Sequence, residues 1–265
     1  GRILIMTLNR ALDGFKNEEE FVKKLNSNKG HQFWKTINLA NNKNLYFVRV
    51  AGSKISKLTN KKIPCKADVF VSEINLSEKE LESNDYLINE NQKLKFIKKI
   101  PQSGISIKMN KTNYQIDKCS LEKFVKRFKD KFLFIGATIY SKDIKDLIKN
   151  HNVLKATNTS WKEFGENFNN KTLENINIKT KFTEEHKDIF ETIQKNSNKR
   201  IKSMAINNSK ILNSLYKGTD EFEDPYCATW LLINNKLTKN IPTDLIVTKG
   251  SSKGGTRPQV EFKPI

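Results

Sequence analysis

The strand-forming stretches of this chain fall mainly in a central block and a tail, separated by a long helical stretch, and that order narrows the folds open to it. Between residues 45 and 109 the hydrophobic period falls to two in "LYFVRVAG" (45–52), "CKADVFVSEI" (65–74) and "SGISIKM" (103–109), β-branched and aromatic runs of strand length. Helical spacing precedes them at 3–14, at 17–27 and through "GHQFWKTINLANN". The second of these opens on Asn17 followed by "EEEF", an N-cap with carboxylates in the first turn. Residues 77–98 are predicted as a peripheral helix and then a strand. "SLEKFVKRFKD" (120–130) is predicted as a helix with Phe124 and Phe128 on one face, and "FLFIGAT" (132–138) as a fourth strand. From about 141 to 217 the pattern is mainly helical, including "TEEHKDIFETIQ" with a capping signature at Thr183. The tail returns to strands in "YCATWLLIN", "DLIVT" and "QVEFKP". This order predicts an α/β (α+β) fold with a central mixed β-sheet flanked by helices, not a doubly wound one. No repeat, linker or low-complexity tract marks a boundary, so one domain over 1–265 is expected.

Charge narrows the partners. The net charge is +19, from 48 Lys and Arg against 29 Asp and Glu, and a polyanion would relieve the resulting self-repulsion. Only six of the basic residues are Arg. Codon bias toward Lys accounts for Lys over Arg, but not for the excess over acids. No apolar run reaches the roughly 20 residues of a membrane span, so no membrane association is expected. The opening segment reads as an amphipathic helix and not a signal peptide, while Gly1 and Arg2 ahead of Met6 leave the native start open. Cys65, Cys119 and Cys227 are odd in number and far apart, which points to a reducing, cytoplasmic setting and away from disulfides or zinc. His31, His151 and His186 form no metal motif, and Trp34, Trp161 and Trp230 are expected in the core or at an interface. "GSKISK" (52–57) and "SSKGGTR" (from 251) are basic, donor-rich loops suited to phosphates, or simply solvated turns. Neither is a Walker motif, so no nucleotide cofactor is expected.

Two charged residues interrupt otherwise apolar strands. Lys66 and Asp68 share a face of "CKADVFV", and Ser106 and Lys108 share a face of "GISIKMN" about 40 residues on. A carboxylate in such a place is costly unless paired or metal-bound. Phosphodiester hydrolysis needs a carboxylate to hold a hard divalent cation, and a lysine beside it can orient or activate water. Simple pairing of Asp68 with Lys66, and an edge-strand lysine at 108, are the plainer readings.

The run "KADVFV…SGISIKMNKTNYQIDK", the loop "AGSKISKLTNKKIP" and the tail "KGGTRPQVEFKP" resemble type II restriction endonucleases of the PD-(D/E)XK superfamily, in the variant with Ser in place of the second motif acid. The resemblance covers 45–120 and the last dozen residues. It implies a restriction-endonuclease-like core at about 17–140, with 141–265 elaborating DNA recognition or dimerisation. It implies Asp68 as metal ligand and Lys108 as catalytic lysine, with Ser106 at the usual position of the second acid and Gln115 near the active site or DNA. The missing carboxylate would come from the N-terminal helix, where Glu18, Glu19 and Glu20 are candidates and Glu20 borders the apolar face. Glu73 is a weaker alternative on the opposite strand face. The implied activity is Mg²⁺-dependent cleavage of double-stranded DNA at a specific sequence by a homodimer, with Lys54, Lys57, Lys66, Lys111, Lys253 and Arg257 as DNA contacts. A non-catalytic DNA- or RNA-binding protein, and a structure-specific nuclease of the same superfamily, are the alternatives.

Overall fold

The computed structural model describes residues 16–51, 54–108 and 114–265. The chain divides into two compact units, Gly1–Tyr114 with Asn213–Pro242 and Gln115–Leu212 with Thr243–Ile265. The sequence carries no linker, and the core expected at 17–140 is distributed between both units. The helix expected at 3–14 lies outside the described residues.

The first unit begins with helices α1 (Glu18–Ser27) and α2 (Gln32–Thr36), then strand β1 (Leu45–Val50) and the hairpin of β2 (Lys54–Ile55) and β3 (Lys62–Ile63). Strand β4 (Phe70–Ile74), helix α3 (Glu78–Ser83), and strands β5 (Leu87–Ile88), β6 (Phe96–Lys99) and β7 (Ile105–Lys108) follow. The second unit takes β8 (Asp117–Cys119) and helices α4 (Leu121–Phe128), α5 (Lys131–Thr138), α6 (Asn150–Ala156), α7 (Trp161–Asn167), α8 (Lys171–Glu174) and α9 (Glu184–Ile206). Within α10 (Ser209–Lys217) the chain re-enters the first unit, which gains β9 (Trp230–Ile233) and β10 (Lys236–Thr238). Strands β11 (Leu245–Lys249) and β12 (Val260–Pro264) complete the second. The fold is mixed α/β, with mixed sheets and flanking helices, as the order of periods predicted.

In the first unit the sheet order is β5-β1-β4-β6, with β1 antiparallel to β4 and parallel to β5. Val69, just ahead of β4, bridges Ile105 of β7, and β7 runs parallel to β9. The strand expected at 65–74 is therefore shorter in its regular part, and its first residues bond to β7 instead. Helix α1 forms because Asn17 accepts the Glu20 N–H at 2.9 Å and acids fill the first turn. Its apolar stripe, Phe21, Val22 and Leu25, is fully buried. The Asn26 side chain exchanges hydrogen bonds with the Phe47 main chain at 2.9 and 2.8 Å, fastening α1 to β1. Phe21, Phe33 and Phe47 meet edge to face at 5.3–5.7 Å, contacts worth about 0.5–1.5 kcal/mol each beyond burial. The third amphipathic stretch forms helix only over Gln32–Thr36.

In the second unit the stretch 132–138 is a helix, not the strand its composition suggested. Asp130 Oδ1 accepts the N–H groups of Phe132 and Leu133 at 3.0 and 3.2 Å, nucleating a turn that strand propensity alone would not start. Helix α5 is buried from Leu133 through Thr138, so it lacks the exposed face that reveals helical period. A Cβ at Gly136 would lie 2.1 Å from Ser197 Oγ of α9, so glycine permits the two helices to touch. Asp117 of β8 is buried with Lys123 at 3.0 Å and with Arg127, both on α4. The expected face of α4 is present, with Phe124 and Phe128 stacked at 4.5 Å.

Candidate active site

Asp68 occupies the junction where the β4 strand leaves one partner for another. Its N–H donates to Ile105 O at 2.9 Å, and its Oδ2 accepts the Ile107 N–H at 2.6 Å. The carboxylate is thereby locked against β7. Lys108, at the end of β7, is itself held by parallel pairing with Ile233, and its carbonyl accepts the Asn234 N–H at 2.8 Å. Gly104 makes the approach possible: a Cβ there would lie 2.2 Å from Cys227 O and 3.2 Å from Ala67 Cβ.

Helix α1 adds the second acid. Glu18 shares a side-chain hydrogen bond with Asp68. Burial, then the charge of Asp68 and that hydrogen bond, push the Glu18 carboxyl up to about 7 against the pull of Arg49 and Lys108. Burial also raises Asp68, opposed by Lys108, the Ile107 N–H, the bond to Glu18 and Lys66. Two crowded carboxyls of this kind hold one proton between them near neutrality, and Glu18 is its natural seat because Asp68 is already an acceptor. Arg49 on β1 is held by the Asp85 carbonyl through Nε at 3.4 Å and Nη2 at 3.1 Å. A cavity of about 410 Å³ opens at Glu18, lined also by Lys16, Asn17, Glu19, Arg49 and Ile107.

The structure thus brings together Asp68, Lys108 and, of the three candidate carboxylates of α1, Glu18. Glu19 turns away to Lys23 at 2.9 Å, and Glu20 to Lys24 at 2.7 Å and the Lys16 N–H at 2.9 Å. Each finds a lysine four residues on, a solvent-side pairing. Glu18 stands three and four residues before the buried Phe21 and Val22, so it shares their face. That spacing was a usable sequence signal for Glu18. Arg49 was missed as well; its signal was an arginine alternating with apolar residues in "LYFVRV". Glu73 pairs in regular register with Leu45 of β1, and the irregularity against β6 begins only after it, so it stays on the face away from Asp68.

The other expected site residues divide. Ser106 is fully buried, and its Oγ has no hydrogen-bond partner among the described residues. Gln115 is exposed and belongs to the second unit. The Lys66 charge acts on Asp68. Lys57 is exposed and lines a separate cavity of about 520 Å³ with Lys62, Glu90, Lys93 and Tyr226 among others. Lys54 begins β2, while Lys253 and Arg257 are exposed in the second unit. Lys111 lies outside the described residues. The histidines have structural partners: His31 accepts the Phe33 N–H, His151 the Trp161 indole N–H at 3.0 Å, and His186 the Thr183 N–H. The three cysteines are free thiols, and Trp34 is fully buried. Among the described residues no group of three or more His, Cys, Asp or Glu comes together, and no helix is long and apolar enough to cross a membrane.

No protein-family model matches the chain, and no curated protein matches its sequence.

Proposed function

We propose that this chain is a Mg²⁺-dependent endonuclease of the PD-(D/E)XK kind that cuts double-stranded DNA at a specific sequence, as type II restriction enzymes do. One observation carries the reading: the Asp68 carboxylate, fixed by the Ile107 N–H at 2.6 Å one residue before Lys108, meets a carboxyl from a separate helix, Glu18. The donor set suits Mg²⁺, which is held by one or two carboxylates and keeps its remaining positions for water and phosphate. When bound, such a cation would draw charge from the scissile phosphate and ease deprotonation of a water.

The chain's own residues supply the rest. Asp68, rigid against β7, and Glu18, once it gives up its proton, would hold the cation. Lys108 would orient the attacking water and offset charge growing on phosphorus. Arg49, steadied by Asp85 at the cavity edge, would hold a non-bridging phosphate oxygen. A homodimer would match a palindromic site, and three free thiols suit the cytoplasm.

The test is digestion of a long phage DNA with Mg²⁺ and with EDTA. Discrete fragments with Mg²⁺ alone are expected, and Lys108→Ala should slow cleavage by about 10²–10⁴-fold while DNA binding persists. Unchanged cutting by that variant removes Lys108 from the mechanism. DNA retardation without nicking in the wild-type digest would favour the non-catalytic binding reading, for which the charge of +19 also speaks.

A further inference from the structure

The long helix α9 is divided by charge. Its first two turns carry Glu184, Glu185, Asp188 and Glu191, and then no acid occurs from Thr192 to Thr219. In its second half Ile193, Ser197, Ile201 and Ala205 are buried. The opposite face exposes Lys195, Asn196, Lys199, Arg200 and Ser203.

Elsewhere in the described chain helical lysines are commonly matched to a nearby acid. Lys23, Lys24, Lys126, Lys162, Lys171 and Lys187 each have a carboxylate within 4.0 Å, three or four residues away. Among the described residues Lys195, Lys199 and Arg200 have none. The helix dipole does not account for them, since it favours cations in the last turn, and Lys195 and Lys199 lie about three and two turns before the end. Nor is the face suited to a lipid surface, because it presents no large apolar side chain.

We infer that the exposed face of α9 reads base edges in the major groove of double-stranded DNA. This rests on the reading of the chain as a DNA-acting protein, but not on its cleavage chemistry. An α-helix with its side chains is about 10–12 Å across, which the B-form major groove, about 12 Å wide, admits, and Lys195 to Ser203 runs about 12 Å along the axis at 1.5 Å per residue. The side-chain types are those that discriminate bases there: Arg and Lys donate to guanine O6 and N7, and Asn pairs with adenine N6 and N7. The helix is rigidly backed, a requirement for readout. The Gln194 amide donates to the Ala137 and Ile139 carbonyls at 3.2 and 2.8 Å, and Ser197 sits against Gly136.

The experiment is selection of bound sequences from a pool of duplexes with a randomised centre, using the full chain in EDTA so that nothing is cut. A base motif should emerge for the wild type. Asn196→Ala and Arg200→Ala should each relax particular positions, with about 5- to 150-fold weaker binding to the selected duplex. The triple variant Lys195→Ala/Asn196→Ala/Arg200→Ala, shown by thermal melting to be folded, should lose the motif. Wild-type specificity in that folded variant overturns the inference, as does wild-type affinity for duplex RNA equal to that for DNA, or capture of an acidic peptide but not DNA. Cleavage with Mg²⁺ at wild-type sites by the triple variant would sink this proposal and leave the nuclease reading standing. Specific binding without any cleavage would do the reverse.

Discussion

Glu18 and Asp68 form the tightest test of the site at the scale of single residues. With its carboxyl raised to about 7 by burial and by Asp68, Glu18 must lose a proton before it can hold a cation. Mg²⁺ affinity should therefore rise with pH up to about 7, with a proton released on binding below that pH. The linkage to stability runs the other way without a cation. The folded state holds this proton more tightly than the unfolded chain, so stability present at low pH is lost as pH rises from about 4.5 to about 7. In EDTA, Glu18→Gln should gain thermal stability relative to wild type across that window, while losing cleavage by about 100-fold or more with Mg²⁺. Glu20→Gln should cut normally, because that carboxylate is committed to Lys24. A flat melting difference between Glu18→Gln and wild type over that pH range would remove the shared proton. In the second unit, Asp117→Ala would leave Lys123 and Arg127 buried without their carboxylate. About 3–5 kcal/mol of stability should be lost, read by denaturant unfolding.

Among the elements, helix α1 couples folding to the site most directly. Asn17 caps it, and the next residue is Glu18. Asn17→Ala should cost about 1 kcal/mol, yet reduce cleavage by more than that loss of stability implies, since fraying of the first turn moves the carboxyl. Asn17→Asp should restore both, because Asp caps equally well. Melting temperature and initial cleavage rate, measured side by side, decide this. The elements also show how far local pattern reaches. The cap and apolar stripe of α1, the strands around Asp68 and Lys108, and the capping of α9 at Thr183 were legible because each signal lies within a few residues. Helix α5 was not: its rich apolar run resembles a strand, and its burial on all sides hides any period. The acid trio was readable in type but not in choice until the period of Phe21 and Val22 was applied to Glu18.

Across the whole molecule the positive charge is shared. The second unit has 24 Lys and Arg against 14 Asp and Glu, leaving 24 against 15 for the first. Non-specific duplex affinity should therefore fall steeply with salt, by about 10³-fold or more between 50 and 200 mM if six or more phosphates are contacted. Filter binding at four salt concentrations measures the slope, and an affinity indifferent to salt would remove the nucleic-acid reading altogether.

The sequence by itself determined the pair of interrupted strands with Asp68 and Lys108, the capped helix bearing three glutamates, the helical middle and the basic balance. Each of these is written in spacing, side-chain type or charge over short range. The tertiary structure alone decided that Glu18 meets Asp68, that β7 runs parallel to β9 more than a hundred residues later, and that 132–138 coils. It also decided that the chain builds two units by passing between them at 114/115, 212/213 and 242/243. Those outcomes depend on which distant surfaces bury one another. Hydrophobic burial is non-directional, so local pattern shows that a face will be covered without naming its partner.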